Sequence, residues 1–266
     1  MATYSFNHVT VDVRAWVARV NLNRPTLHNA FNDGLIAELT HAMQGVTNDS
    51  AVRVVVLSGA GHSFCAGADL EWMRKRSDYS KEENYAETMA MARMFQSVNR
   101  CPKPVIARVH GPAMAGGVGL VAAADIAVAA SEAARFGLTE VKIGLVPAVI
   151  SPYVVQKCGP AVSRELFLTG ERFGAAKARA IGLVNHVVPD EKLDDAVQER
   201  IDALLTGAPG ALGVCKELVR LVVGKSPEEV MEQTSRIIAD QRVSDEGREG
   251  MRAFLEKRNP PWSQGS

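Results

Sequence analysis

Three short apolar runs constrain this chain more than any other feature in it. "VRVVVLSG" (52–59), "KPVIARVHG" (103–111) and "ADIAVAA" (124–130) are mostly continuous in their apolar character rather than alternating. Strands that read this way are covered on both faces, the habit of parallel strands between helical layers. Parallel neighbours need long crossovers, and the intervening sequence supplies helices for them. Asn32 stands where a cap belongs, ahead of Leu35, Ile36, Leu39 and Met43, which predicts a helix over 33–46. A longer helix is predicted over 81–99. At the start, "YSFNHVTVDVR" and "AWVARVNLN" are β-rich and predict a hairpin across a short polar turn. The pattern is an α/β core of repeated ββα-type turns, with no sequence repeat of fixed period.

Beyond Gly159 the chain turns helical. Helices are predicted over 161–168, 175–181, 193–205, 211–223, 227–238 and 244–257, interrupted by one strand in "GLVNHVV". The expected division is a core over 1–195 and a helical region over 196–266.

Composition narrows the class. A chain of 266 residues that is 47% hydrophobic and 23% charged, with a formal net charge of zero, suits a soluble globular protein with a full core. No basic stripe with interleaved aromatics is present, so no nucleic-acid partner is expected. Cys65, Cys101, Cys158 and Cys215 are far apart and form no CxxC, which favours a reducing compartment. The N-terminus lacks the basic and apolar regions of a secretory signal. The apolar run over 118–130 is too short to span a bilayer and is interrupted by Asp125. A cytoplasmic protein without membrane partners is expected. The histidines form no HxxxH or HxH pair, so no metal is expected.

Two Gly/Ala-rich loops carry the chemistry. "GHSFCAGADL" and "HGPAMAGGVGL" each follow an apolar strand, and small side chains leave their backbone accessible. Two N–H groups from neighbouring loops converging on one oxygen would make an oxyanion hole; tight packing against helices would explain the same residues. Gly117-Val-Gly119-Leu-Val-Ala122 also matches a relaxed dinucleotide fingerprint, but it does not directly follow a strand. Glu140 sits between apolar stretches on an expected short helix, where a raised pKa would suit acid–base work; a solvent-facing Glu would look the same. Asp69 reads as a helix cap, Asp125 as a helix-end or buried hydrogen-bonding group, and Cys65 as a packing residue. Ser63 has no evident catalytic partner. The polar run "KRSDYSKEEN" (75–84) reads as solvated, although a cation in it could meet an acidic substrate tail.

These residues together resemble the crotonase superfamily, also called the enoyl-CoA hydratase/isomerase family. "LNRPTLHNAFN" is similar to its CoA-contacting turn, "FCAGADL" to its first oxyanion loop, and "VHGPAMAGGVGL" with "ADIAVAA" to its second. "IGLVNHVVP" and "EGMRAFLEKRNPPW" are similar to later segments. The resemblance implies a crotonase-like stacked ββα spiral core with a C-terminal helical trimerisation region. It implies an enoyl-CoA hydratase acting on an acyl-CoA thioester, with coenzyme A as part of the substrate and no separate cofactor. It places the oxyanion N–H groups at Ala68 and Gly116, acid–base chemistry at Glu140, and CoA along Ala66, Ala68, Asp69, Leu70 and Glu71. The first of the family's two glutamates falls at Gly119, which would leave space or admit a substrate branch. "TEVKIGLVPAVISPYVVQKCG" is similar to hydratases of methylglutaconyl-CoA-like substrates. A single carboxylate also suits the family's isomerases, and a non-catalytic CoA-ester-binding relative would show the same loops. Homotrimers, or hexamers as dimers of trimers, are implied as well.

Overall fold

The computed structural model describes residues 3–76 and 78–263; Ser77 of the polar run and residues 264–266 of the expected helical region lie outside them. Strands β1 (Thr3–Ser5), β2 (Val9–Arg14) and β3 (Val17–Leu22) form an antiparallel meander. The β2–β3 pairing runs to Arg14 opposite Val17 and leaves only Ala15 and Trp16 for the turn. Both have positive φ (46° and 67°), as a two-residue hairpin turn requires to match strand twist. This corrects the expected polar turn: strand register, not turn chemistry, sets the conformation here.

From β3 onward the chain winds as a spiral. Helix α1 (Asp33–Asn48) carries it to β4 (Val54–Gly59), and α2 (Leu70–Lys75) with α3 (Lys81–Asn99) carries it to β5 (Val105–Val109). Strand β6 (Ala113–Met114) and α4 (Gly116–Ala123) lead to β7 (Ile126–Ala130). Then come β8 (Arg135–Gly137), α5 (Ser151–Thr169), β9 (Arg172–Gly174), α6 (Ala175–Ala180) and β10 (His186–Val188). Each new long strand pairs in parallel with the one before it, giving a seven-stranded sheet in the order β1-β2-β3-β4-β5-β7-β10. The short strands form a second sheet, β6-β8-β9, extended by single bridges from Cys65 to Ala113 and from Phe31 to Ala68. Successive turns of the spiral therefore stack their loops as closely as their strands.

Two cores explain why β4, β5 and β7 do not alternate. One face of the main sheet packs Val55, Leu57, Val105 and Ala107 against Leu35, Leu39 and Met43 of α1 and against Met94 and Phe95 of α3. The other face packs Val54, Val56, Ile106 and Val128 against α7 (Leu193–Leu205), through Leu193, Val197, Ile201 and Leu205. Helix α7 thus belongs to the packing of the sheet. Helices α8 (Pro209–Val222), α9 (Pro227–Val243) and α10 (Asp245–Leu255) follow and bury only Val230 and Ala253. No helix among the described residues is long and apolar enough to cross a membrane.

Candidate active site

The two Gly/Ala loops meet because main-chain hydrogen bonds join them. Cys65 donates to Pro112 O (3.1 Å), and Met114 donates to Cys65 O (2.9 Å). Phe31 donates to Gly67 O (2.7 Å) and accepts from Asp69 N (3.0 Å), so both bonds of this parallel bridge flank Ala68. The N–H of Ala68 consequently faces away from Phe31. Gly116 opens α4, where an N–H has no partner within the helix and carries the positive end of its dipole. Between them Ala115 adopts φ 49°, ψ −116°, a conformation that costs an alanine ~1–3 kcal/mol. It is held there by its bond to Gly137 O (2.8 Å) and by Gly119 N, which donates to Ala115 O (3.2 Å). The close approach explains Gly117: a Cβ there would lie 2.2 Å from Cys65 O.

Ala68, Gly116 and Glu140 line one cavity of about 570 Å³. Glu140 begins a 3₁₀ turn (Glu140–Ile143) just after β8, as the sequence suggested. Burial pushes its carboxyl above the ordinary range, and Oε2 is buried without a hydrogen-bond partner. A carboxyl in this state is ready to take or give a proton at whatever enters the cavity. Larger hollows of about 680 and 890 Å³ lie around Arg53 and Lys103 beside the C-terminal helices, and none of these candidate groups lines them.

The remaining sequence candidates divide. Ala66, Leu70 and Glu71 are exposed and do not line the cavity, although they neighbour Ala68 and Trp72, which do, whereas Asp69 is buried. Its Oδ1 caps α2 by accepting from Glu71 N (2.9 Å) and Trp72 N (3.2 Å), and Oδ2 pairs with Arg24 (2.8 Å). Asp69 shapes the loop, with both carboxylate oxygens engaged within the protein. Asp125 accepts from Val105 N (2.7 Å) and pairs with Lys216 (2.6 Å), a structural role. Cys65 is wholly buried and its thiol is pushed up to about 12, so it is no nucleophile. Ser63 does have a partner, His28 Nδ1 at 3.0 Å, but neither residue lines the cavity.

Gly119 requires a correction. It neither leaves space nor admits a substrate branch: a Cβ there would lie 2.2 Å from Ile150 Cγ2 and 2.9 Å from Phe95 Cε1. Ile150 and Phe95 fill the volume beside it, and Gly119 is buried behind the cavity wall. Arg76, Asn84, Glu87, Thr88 and Met91 also line the cavity; Arg76 is a cation of the polar run 75–84, and sequence reasoning singled out none of the other four. The last four recur at i, i+3, i+4 and i+7 along α3, a face that was there to be read.

Comparison with known proteins gives one answer. The family model for enoyl-CoA hydratase/isomerase matches residues 12–265. Enoyl-CoA hydratase EchA19 of Mycobacterium tuberculosis is 34% identical, over 94% of this chain and 94% of its own. A short-chain-enoyl-CoA hydratase of Clostridium acetobutylicum is 31% identical, over 95% and 96%. The crystal structure of an enoyl-CoA hydratase from Shewanella pealeana superimposes with a TM-score of 0.93 at 38% identity, covering 97% of each chain.

Proposed function

This chain belongs to the enoyl-CoA hydratase/isomerase family, the crotonase superfamily, and is an enzyme of the enoyl-CoA hydratase type; on that premise we propose that it adds water across the 2,3 double bond of a branched or carboxylated enoyl-CoA, such as a methylglutaconyl-CoA-like ester. One observation carries this reading. Two backbone donors, from Ala68 and Gly116, line the same cavity as a buried carboxyl with an unpartnered oxygen. The thioester oxygen accepts from the two N–H groups, with coenzyme A passing out along Ala66, Leu70 and Glu71. Glu140 takes a proton from water as the oxygen bonds to C3, and the π electrons move onto the thioester oxygen. The thioenolate so formed is held more tightly than the substrate, which is what lowers the barrier. Glu140 returns the proton to C2, so that one water is added and the carboxylate regenerated.

The test is the ultraviolet absorbance of the conjugated enoyl-thioester. Hydration removes it, and Glu140→Gln prevents the loss. A gain of absorbance from a 3-enoyl ester, with no hydration of 2-enoyl esters, would make the enzyme an isomerase. That second reading draws on the same feature, the absence of a carboxylate at Gly119. Exposed apolar side chains on the C-terminal helices, among them Met231, Ile238, Val243, Phe254 and Leu255, support assembly into trimers or hexamers. Sedimentation of the purified protein checks that; a monomer at working concentration refutes it.

A further inference from the structure

We propose that Trp72 and Arg76 form a receptor for a carboxylate at the far end of the acyl chain, so that the preferred acyl group is a carboxylated one. The proposal rests on the thioester reading above and deepens it. It starts from a mismatch between donors and acceptor. The indole Nε1–H of Trp72 and an Nη2–H of Arg76 both donate to Oδ1 of Asp33, at 3.1 and 2.6 Å. Both donor residues line the cavity together with Ala68, Gly116 and Glu140. Asp33, the first residue of α1, does not line it, and its side chain is 69% exposed. A surface carboxylate therefore occupies donors of two residues that line the cavity.

The fork is set before any ligand arrives. The Arg76 side chain is 9% exposed. Glu87 accepts from its Nε and pairs with its Nη2, Trp72 O accepts from Nη1 (3.0 Å), and the Trp72 ring lies 4.0 Å from the guanidinium carbon. Glu87 neutralises the guanidinium, yet the cluster still holds Asp33 as a second carboxylate. A substrate carboxylate takes that second place. Asp33, whose own side chain is largely exposed, then returns to water. Arg76 is the one lysine or arginine among the described residues that line the cavity. Met73, Met91, Val149 and Ile150 offer a carboxylate nothing, and the polar side chains of Asn84 and Thr88 carry no charge, so Arg76 is the cationic group that an anionic terminus meets on this wall.

Binding and turnover are measured separately. Calorimetric titrations use 3-methylglutaryl-CoA and isovaleryl-CoA, saturated esters that share a branched skeleton and differ in the terminal carboxylate. The wild-type protein is expected to bind the carboxylated ester about ten- to a hundredfold more tightly, the scale of a charge-assisted hydrogen bond. Arg76→Met brings that ratio close to one and Trp72→Phe lowers it. Asp33→Ala raises it, because the competing carboxylate is gone. Equal affinities in the wild type, or a ratio unmoved by Arg76→Met, overturns the proposal. Should Arg76→Met fail to fold, Asp33→Ala decides: an unchanged or smaller ratio is equally fatal. Hydration of 3-methylglutaconyl-CoA is followed in parallel. A binding preference without hydration would refute the hydratase reading and leave the receptor standing; hydration without preference would do the reverse.

Discussion

The inner wall of the cavity, residues 65–69 and 114–117, is held by backbone, whereas the outer wall, α2 and the first half of α3, is held by side chains. Main-chain bonds tie Phe31 to Gly67, Cys65 to Pro112, Met114 to Cys65 and Ala115 to Gly137. Helix α2 buries no residue, and α3 buries only Met94, Phe95 and Val98, toward its far end. The outer wall depends instead on Arg76, which binds Asp33, Glu87 and Trp72 O. A wall built from backbone keeps its geometry when side chains drift, and a wall built from side chains changes with each substitution. The proposed reaction chemistry draws on the first, and the proposed choice of acyl group on the second.

That contrast sets a descending series of effects. Glu140→Gln is expected to lower kcat by ~10²–10⁴-fold while CoA-ester binding persists. As the base toward water Glu140 must be ionised, so kcat should fall as the pH drops through its raised pKa. Stability runs the other way. The native state holds this proton more tightly than the unfolded chain does, so the wild type carries a penalty at pH values above the ordinary carboxyl range. Glu140→Gln should therefore raise Tm at neutral pH, with the two proteins converging as the pH falls below that range. A full-rate Glu140→Gln enzyme would remove the group from the mechanism.

Replacing the Gly116 N–H by an ester oxygen deletes one donor without altering shape. The expected loss is ~10²–10³-fold in kcat. It is a cleaner test than proline, which would force Ala115 out of its φ 49°, ψ −116° conformation. Unchanged turnover would mean that the inner wall does not hold the oxyanion.

Gly119→Glu should cost stability without restoring a second catalytic carboxylate, because Ile150 and Phe95 already fill that volume. Overpacking of this kind costs ~1–3 kcal/mol, and burying a carboxylate adds to it. Denaturant unfolding should show the loss, and Ile150→Ala in the same protein should recover part of it. Faster hydration of crotonyl-CoA by Gly119→Glu would show that the position does open to the substrate.

The smallest effect belongs to the outer wall's anchor. Ser80 caps α3 in a capping box with Glu83. Ser80→Ala should cost ~1 kcal/mol, read as earlier local hydrogen exchange in α3, with kcat on the preferred ester within about twofold. A tenfold fall in kcat would tie the outer wall to the chemistry and erase the distinction between the two walls.

Local signals made the long elements legible. The helix predicted over 81–99 is α3 to the residue, 193–205 is α7, and Asn32 caps α1 through its bond from Leu35 N (2.8 Å). The second sheet was not legible. Its strands are only two or three residues long and pair across distant segments, Ala113 with Phe136 and Phe136 with Phe173. The helix predicted over 161–168 is the second half of α5, which begins at Ser151 and is broken at Gly159 (φ 78°). Gly and Pro at 159–160 read as a helix start, and Gly159, outside helical geometry, does separate two helical segments there.

By itself, then, the sequence determined the run of parallel strands, the two loops free of bulky side chains and the apolar setting of Glu140, since period and propensity act over a few neighbouring residues. Only the tertiary structure decided that Ala68, Gly116 and Glu140 share a cavity, that Ile150 stands over Gly119, and that Arg76 and Trp72 reach Asp33. Those juxtapositions follow from the parallel register of β3, β4, β5 and β7, which brings loops from successive turns of the spiral side by side. Strand register is a property of pairing between segments many residues apart, decided by how their apolar faces and connections fit together.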